Sequence, residues 1–232
     1  MQLSRNDKFY IGTLEDSLLT HAERKKLLSE YGEELEEEIT EMMERAEKAA
    51  VPKVIFGVLP IEARGENYVT IAGVTIVSPL MRKNFDTINR VFPYVATCGT
   101  ELEEWSLNYK GDLLFEYLAD EIKKICLIRM TSAFRTHIKE TYGLKRGYSS
   151  MNPGSIKEWP LTGQKELFAI FGEETVARTA GVTLTESMLM LPSKSVSGIG
   201  FSSETNFENC RLCPILKCIN RRAAADMLQA GG

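Results

Sequence analysis

Tyr148-Ser149-Ser150-Met151-Asn152-Pro153-Gly154-Ser155-Ile156-Lys157-Glu158-Trp159-Pro160-Leu161-Thr162-Gly163-Gln164 is the stretch around which the chain is organised. Pro153 fixes one φ angle and Gly154 frees the next, which predicts a tight turn. Trp159 is one of two tryptophans, and Pro160 after it disfavours a helical backbone at that position. An ordered loop of this length between regular elements suits a functional segment. A packed connector anchored by Trp159 is the plainer reading.

Regular elements flank the loop. Upstream, the longest predicted helix runs from Asp112 to Tyr142, with Leu114, Leu118, Ile122, Ile125, Ile128, Phe134 and Ile138 as its core stripe and Gly143 beyond its end. Downstream, a short helix is predicted from Gln164 to Phe171 and a further turn from Glu173 to Ala180. A strand from Thr183 to Leu191, a Pro192-Ser193-Lys194 turn and an antiparallel partner from Ser195 to Phe201 follow. Glycines at 198 and 200 in that last strand suit either a tight hairpin or a close approach by a ligand.

Residues 13–50 read as helical, with capping-box spacing at Thr20 and Glu23 and a break at Gly32. Residues 53–77 read as strands, Ala72-Gly73 turning a hairpin, and Ser78 caps a short helix. Val91–Thr97 reads as another strand, in which Pro93 predicts an edge or a bulge. Thr97-Cys98-Gly99-Thr100 then turns into a helix with capping-box spacing at Thr100 and Glu103. Helices and strands do not alternate regularly, so the expected fold class is α+β: a single domain with a twisted, mainly antiparallel sheet flanked by long helices. The expected organisation is an N-terminal helical region over residues 1–50, an α+β core over 51–205 and a cysteine-containing tail over 206–232.

Composition narrows the function. The 232 residues carry a net charge of −4 with 44% apolar and 26% charged content. Nucleic acid is therefore not an expected partner. No signal peptide and no run long enough to span a bilayer is present, which predicts a cytoplasmic protein. There is no dinucleotide fingerprint, P-loop, nucleophile elbow or zincin motif. With two histidines, a serine hydrolase is not expected.

Three of the five cysteines, Cys210, Cys213 and Cys218, stand in C-x2-C-x4-C spacing. In a reducing compartment that cluster predicts a metal, either zinc or an iron–sulfur cluster, before a disulfide. A fourth ligand would come from Cys98, from Cys126 or from outside the protein, and Cys98, at a strand-to-helix turn, suits a ligating or reactive thiol. Cys126 falls in the apolar stripe of the long helix and reads as a small core residue. Free thiols in a surface tail are the alternative.

Residues 143–202 also resemble the activation domain of vitamin B12-dependent methionine synthase. The resemblance rests on an ordered series: Met151-Asn152-Pro153-Gly154-Ser155, Trp159-Pro160, Gln164 with Leu167 and Phe168, and Gly181-Val182-Thr183-Leu184-Thr185-Glu186-Ser187. It ends in Pro192-Ser193-Lys194-Ser195-Val196-Ser197-Gly198-Ile199-Gly200-Phe201, its most specific block. Thr97-Cys98-Gly99 resembles the Thr-x-Gly turn of stand-alone activation proteins.

Such domains bind S-adenosylmethionine and dock on a corrinoid domain. There an electron from a donor protein and the methyl group of S-adenosylmethionine restore methylcobalamin from cob(II)alamin. The resemblance thus implies S-adenosylmethionine as cofactor, cobalamin on a partner protein, and a corrinoid-binding domain and an electron donor as partners.

The family's Arg-x-x-x-Gly-Tyr loop places an arginine on the ligand carboxylate. This chain departs from it, with Ser150 at the arginine position and Ser155 at the tyrosine position, and Arg146 is the expected substitute. The family's acidic residue on the long helix falls near Lys124, with Asp120 and Glu121 a turn earlier. The expected ligand wall is Arg146, Ser150, Asn152, Pro153, Gly154, Ser155, Ser195, Ser197 and Gly198. Two other readings stay open: a corrinoid-protein-binding module without catalysis, and a metal-binding redox protein whose tail is the active part.

Overall fold

Two short strands open the chain, β1 (Gln2–Asn6) and β2 (Phe9–Thr13). The computed structural model describes residues 1–6, 8–14, 19–144, 147–203, 211 and 224. The helical reading of the N-terminus is corrected here, because β2 pairs antiparallel with β3 (Lys53–Gly57) and carries β1 at the edge of the main sheet. All but the last residue of β1 is exposed, so no apolar alternation advertises it.

Between β2 and β3 lie α1 (His21–Tyr31) and α2 (Glu36–Ala49). The Thr20–Glu23 capping box is formed, and Gly32 ends α1 at φ +101°. After β3 come β4 (Leu59–Pro60), β5 (Ala63–Arg64), β6 (Tyr68–Ile71) and β7 (Val74–Val77). β5, β6 and β7 make a small separate sheet, turned at Ala72-Gly73 as expected. Ser78 caps α3 (Pro79–Asn84), its hydroxyl accepting from the Met81 N–H.

β8 (Arg90–Thr97) is the central strand of the main sheet, whose order is β1-β2-β3-β8 followed by two later strands. Pro93 is therefore not at an edge. Pairing to β3 ends at Phe56↔Tyr94 and resumes at β4 with Leu59↔Val91, so the ladder is interrupted opposite Pro93 with no residue inserted. A missing N–H is tolerated at such a break.

α4 (Thr100–Ser106) starts on Gly99 at φ +101° without a side-chain cap, so the expected Thr100–Glu103 box does not form. α5 (Leu113–Thr141) is the 29-residue helix expected, capped by Asp112. Its core face is Leu118, Ala119, Ile122, Cys126, Met130, Phe134 and Ile138, while Leu114 and Ile128 are exposed.

β9 (Tyr148–Met151) leads into the Pro-Gly turn, and α6 (Gln164–Phe171) and α7 (Glu173–Ala180) follow. The predicted strand over 183–191 is instead two short pieces, β10 (Thr183–Leu184) and β11 (Met190–Leu191), paired with each other. Between them the Thr185 hydroxyl accepts from the Leu189 N–H and Met188 takes φ +64°. Hydroxyls bonding locally in this way compete with a ladder. β12 (Ser195–Ser202) pairs antiparallel with β8 on one side and with β9 on the other, rather than with 183–191.

β9 thus closes one edge of the sheet and β1 the other. One sheet face packs under α5, joining Val54, Phe56, Phe92, Tyr94 and Ala96 to Met130, Phe134 and Ile138. The other face, with Ile55, Val95, Met151, Ile199 and Phe201, packs on Trp159, α6, α7 and the small sheet. A third cluster joins α1, α2 and α4 to the first half of α5. The chain is one α+β domain built on an antiparallel sheet, as expected.

Candidate functional site at the sheet edge

The Pro-Gly turn is formed as its composition requires. Ser155 N–H donates to Asn152 O at 3.1 Å, Gly154 sits at φ +79°, and its N–H reaches Trp159 O at 2.9 Å. Trp159 is buried at 2% exposure, and a side chain on Gly163 would strike its indole nitrogen at 2.2 Å. The loop is therefore anchored by Trp159, while its first residues remain polar.

Asn152 organises that polar end. Its side-chain amide donates to Tyr94 Oη at 2.9 Å and to Ser197 O at 2.6 Å. Ser150 Oγ lies 3.5 Å from Asn152 Oδ1. Gly198 gives the amide its room, since a Cβ there would stand 2.4 Å from Asn152 Nδ2 and 2.6 Å from Met151 O. Two positions on, a Cβ on Gly200 would stand 2.3 Å from Tyr148 Oη.

Strand parity sorts the predicted wall. Gly198 pairs with Tyr94, and Gly200 with Phe92 and Ser150, so these positions face α5. Ser195 and Ser197 face the opposite side. There Ser197 Oγ donates to the buried Gln164 Oε1 at 2.7 Å, and Ser195 Oγ lies 3.0 Å from Thr97 Oγ1 and donates to Pro192 O at 2.7 Å. The structure brings Ser150, Asn152 and Gly198 together and sends Ser195 and Ser197 elsewhere. Pro153 is buried in the turn, with Gly154 exposed and Ser155 half-buried. Arg146 lies outside the described residues.

Tyr94 and Tyr148 join the site without having been singled out from the sequence. The polar tips of Tyr94 within the apolar β8 and of Tyr148 at the start of β9 were the available signal. The Tyr148 hydroxyl is buried and has no hydrogen-bond partner among the described residues. Such a group costs about 1–3 kcal/mol while unpaired. Burial pushes its pKa well above the ordinary phenol value, Tyr94 adds to the rise, and Arg135 of α5 opposes it.

Along α5, Lys124 is paired with Glu121, and Asp120 is bridged to Lys194 at 2.8 Å. Lys123, almost buried, bonds Glu103 Oε2 at 3.1 Å and Ser106 Oγ at 3.2 Å. A cleft between α1 and α2, ringed by Glu36, Glu37, Glu41 and Glu44 with Arg24, lies apart from the Asn152 cluster.

The metal expectation meets a different environment. Cys98 is fully buried, and burial pushes its thiol from 9.0 up to about 12, with Glu103 adding and Lys123 and Lys194 opposing. It is not the accessible thiolate that its turn position suggested. Cys126 is buried as expected, and its pKa is raised first by burial and then by Cys98. Among the described residues no group of His, Cys, Asp or Glu is arranged to hold a metal ion. Cys210, Cys213 and Cys218 lie outside the described residues. Among the described residues no helix is long and apolar enough to cross a membrane.

An antiparallel sheet covered on one face by a single long helix, with a Pro-Gly turn at its edge strand, defines an α+β fold. The crystal structure of the MetH reactivation domain bound to AdoHcy shares it, with a TM-score of 0.62 at 14% identity over 84% of this chain and 78% of that one. No family model matches the chain, and no curated protein matches its sequence.

Proposed function

We propose that this chain is a reactivation protein for a corrinoid-dependent methyltransferase of the methionine synthase type, using S-adenosylmethionine to remethylate a cobalamin that has lost activity. The observation that carries the reading is the fold likeness to a reactivation domain bound to AdoHcy (S-adenosylhomocysteine), the demethylated form of that ligand. The polar cluster of Asn152, Tyr94, Tyr148 and Ser150 under α5 supports it, because the Tyr148 hydroxyl in it is a buried polar group with no partner among the described residues, held beside the turn that Asn152 ties to β12.

S-adenosylmethionine supplies an activated methyl group on a positively charged sulfur, so the protein contributes proximity and orientation more than acid–base chemistry. In this reading Asn152 holds the turn against β12, Ser150 and Tyr148 bind the ligand, and Arg146 remains the sequence-based choice for the carboxylate. A corrinoid-binding domain is the partner, with an electron donor supplying the reducing equivalent. Cys210, Cys213 and Cys218 are proposed to hold zinc or an iron–sulfur cluster, with a fourth ligand other than the buried Cys98. Iron and sulfide analysis of anaerobically purified protein tests that part.

The decisive assay mixes the protein with a cob(II)alamin-loaded corrinoid domain, a low-potential reductant and S-adenosylmethionine, and follows methylcobalamin by its absorption spectrum. Formation that depends on the protein supports the reading, and formation at the rate of the protein-free mixture refutes it. Serine at positions 150 and 155, where the family carries arginine and tyrosine, favours one second reading: a module of the same fold that binds a corrinoid protein without S-adenosylmethionine.

A further inference from the structure

One side of α5 carries Asp120, Lys124, Leu127, Thr131 and Arg135, spaced to lie along a single stripe. Two contacts place that stripe over β12 and β9: Asp120 bridges Lys194 just before β12, and Leu127 packs in the cluster that holds Val196 and Tyr148. The electrostatic influence of Arg135 on Tyr148 agrees with that placement. Beneath it β12 presents Val196, Gly198 and Gly200, with the Asn152 amide seated over Gly198 and the Tyr148 hydroxyl over Gly200.

The cations of α5 differ in how they are held. Lys123, Lys124 and Arg129 each have an acidic partner in Glu103, Glu121 and Glu23. The Arg135 guanidinium has neither an ion pair nor a hydrogen bond among the described residues. Arg135 acts electrostatically on the Tyr148 hydroxyl, a buried group also without a hydrogen-bond partner among them. Ser150, on the same strand face, is buried as well.

We propose that Arg135, with the Tyr148 hydroxyl and Ser150, anchors the carboxylate of the S-adenosyl ligand, replacing from the helix the arginine that the edge strand lacks. The inference rests on the function proposed above and assigns the anchor to Arg135 rather than Arg146. A guanidinium presents paired donors to a carboxylate, and a phenol beside it adds a third.

The test is calorimetric titration with two ligands that share the adenosine and thioether but differ at one end: S-adenosylhomocysteine, and 5′-methylthioadenosine, which has no carboxylate. Arg135→Gln is expected to weaken S-adenosylhomocysteine by about tenfold to a hundredfold and to leave 5′-methylthioadenosine unchanged. Retained binding of the second ligand reports an intact fold. Arg135→Lys recovers part of the loss, and Tyr148→Phe gives a smaller loss confined to the carboxylate ligand. Equal weakening of both ligands, or a loss that follows Arg146→Gln and not Arg135→Gln, overturns the inference. Failure of the unsubstituted protein to bind either ligand refutes instead the proposed function on which it rests.

Discussion

The side-chain amide of Asn152 fills the space that a side chain at residue 198 would need. A Cβ on Gly198 would stand 2.4 Å from Asn152 Nδ2 and 2.6 Å from Met151 O. The second obstacle is backbone of the paired edge strand, so it cannot rotate away. Gly198→Ala is expected to destabilise the fold by about 1–3 kcal/mol and to weaken ligand binding by displacing Asn152. Denaturant unfolding with a parallel ligand titration checks both, and unchanged stability would show that β9 shifts without cost.

Asn152 itself supplies the two bonds that tie the turn to β8 and β12. Asn152→Ala removes both donors and is expected to cost about 1–3 kcal/mol. Asn152→Asp is expected to cost more above the carboxyl pKa, because an anionic oxygen would then face the Ser197 carbonyl. Comparing the two variants at pH 7 and pH 4 separates lost bonding from repulsion: the Asp variant recovers towards the Ala variant at the lower pH.

Lys123 has a side chain only 8% exposed, whereas its partner Glu103 is 37% exposed. Removing the exposed partner strands the buried one. Glu103→Ala is expected to cost about 1–3 kcal/mol, below the full cost of breaking a buried pair because Ser106 remains bonded and water reaches the site. Lys123→Met, which removes the buried charge and keeps its packing, is expected to cost less. The order of the two melting temperatures checks this.

Cys98 gives a pH dependence with a definite sign. Burial raises its folded pKa from 9.0 to about 12, so the folded protein keeps a proton that the unfolded chain has lost. The contribution is fully present below about pH 9 and is lost as pH rises towards 12, at up to about 1.4 kcal/mol per pH unit. Urea midpoints measured from pH 8 upward should fall more steeply for the unsubstituted protein than for Cys98→Ala. In the folded state at pH 8, Cys98 is expected to resist alkylation.

Much of the fold was legible in local chemistry. The Thr20–Glu23 box, the Ala72-Gly73 turn, the Ser78 cap and the span of α5 each depend on neighbours in sequence. What escaped depends on contacts across the chain. β1 lacks an apolar alternation because nearly all of it is exposed, and Pro93 sits mid-sheet because the ladder is interrupted opposite it. The site was half legible. Ser150, Asn152 and Gly198 were singled out and do meet, but Ser195 and Ser197 were grouped with them although strand parity turns their side chains to the other face. Arg135 acts on Tyr148 only because α5 packs over the sheet, which no local motif announces.

The most direct test of the central claim is calorimetric titration of the full chain, purified without oxygen, with S-adenosylmethionine. Saturable one-to-one binding in the micromolar range, about −8 kcal/mol, is the predicted result. No heat of binding, with or without a corrinoid domain present, would contradict the account and leave the fold as the scaffold of a corrinoid-protein-binding module.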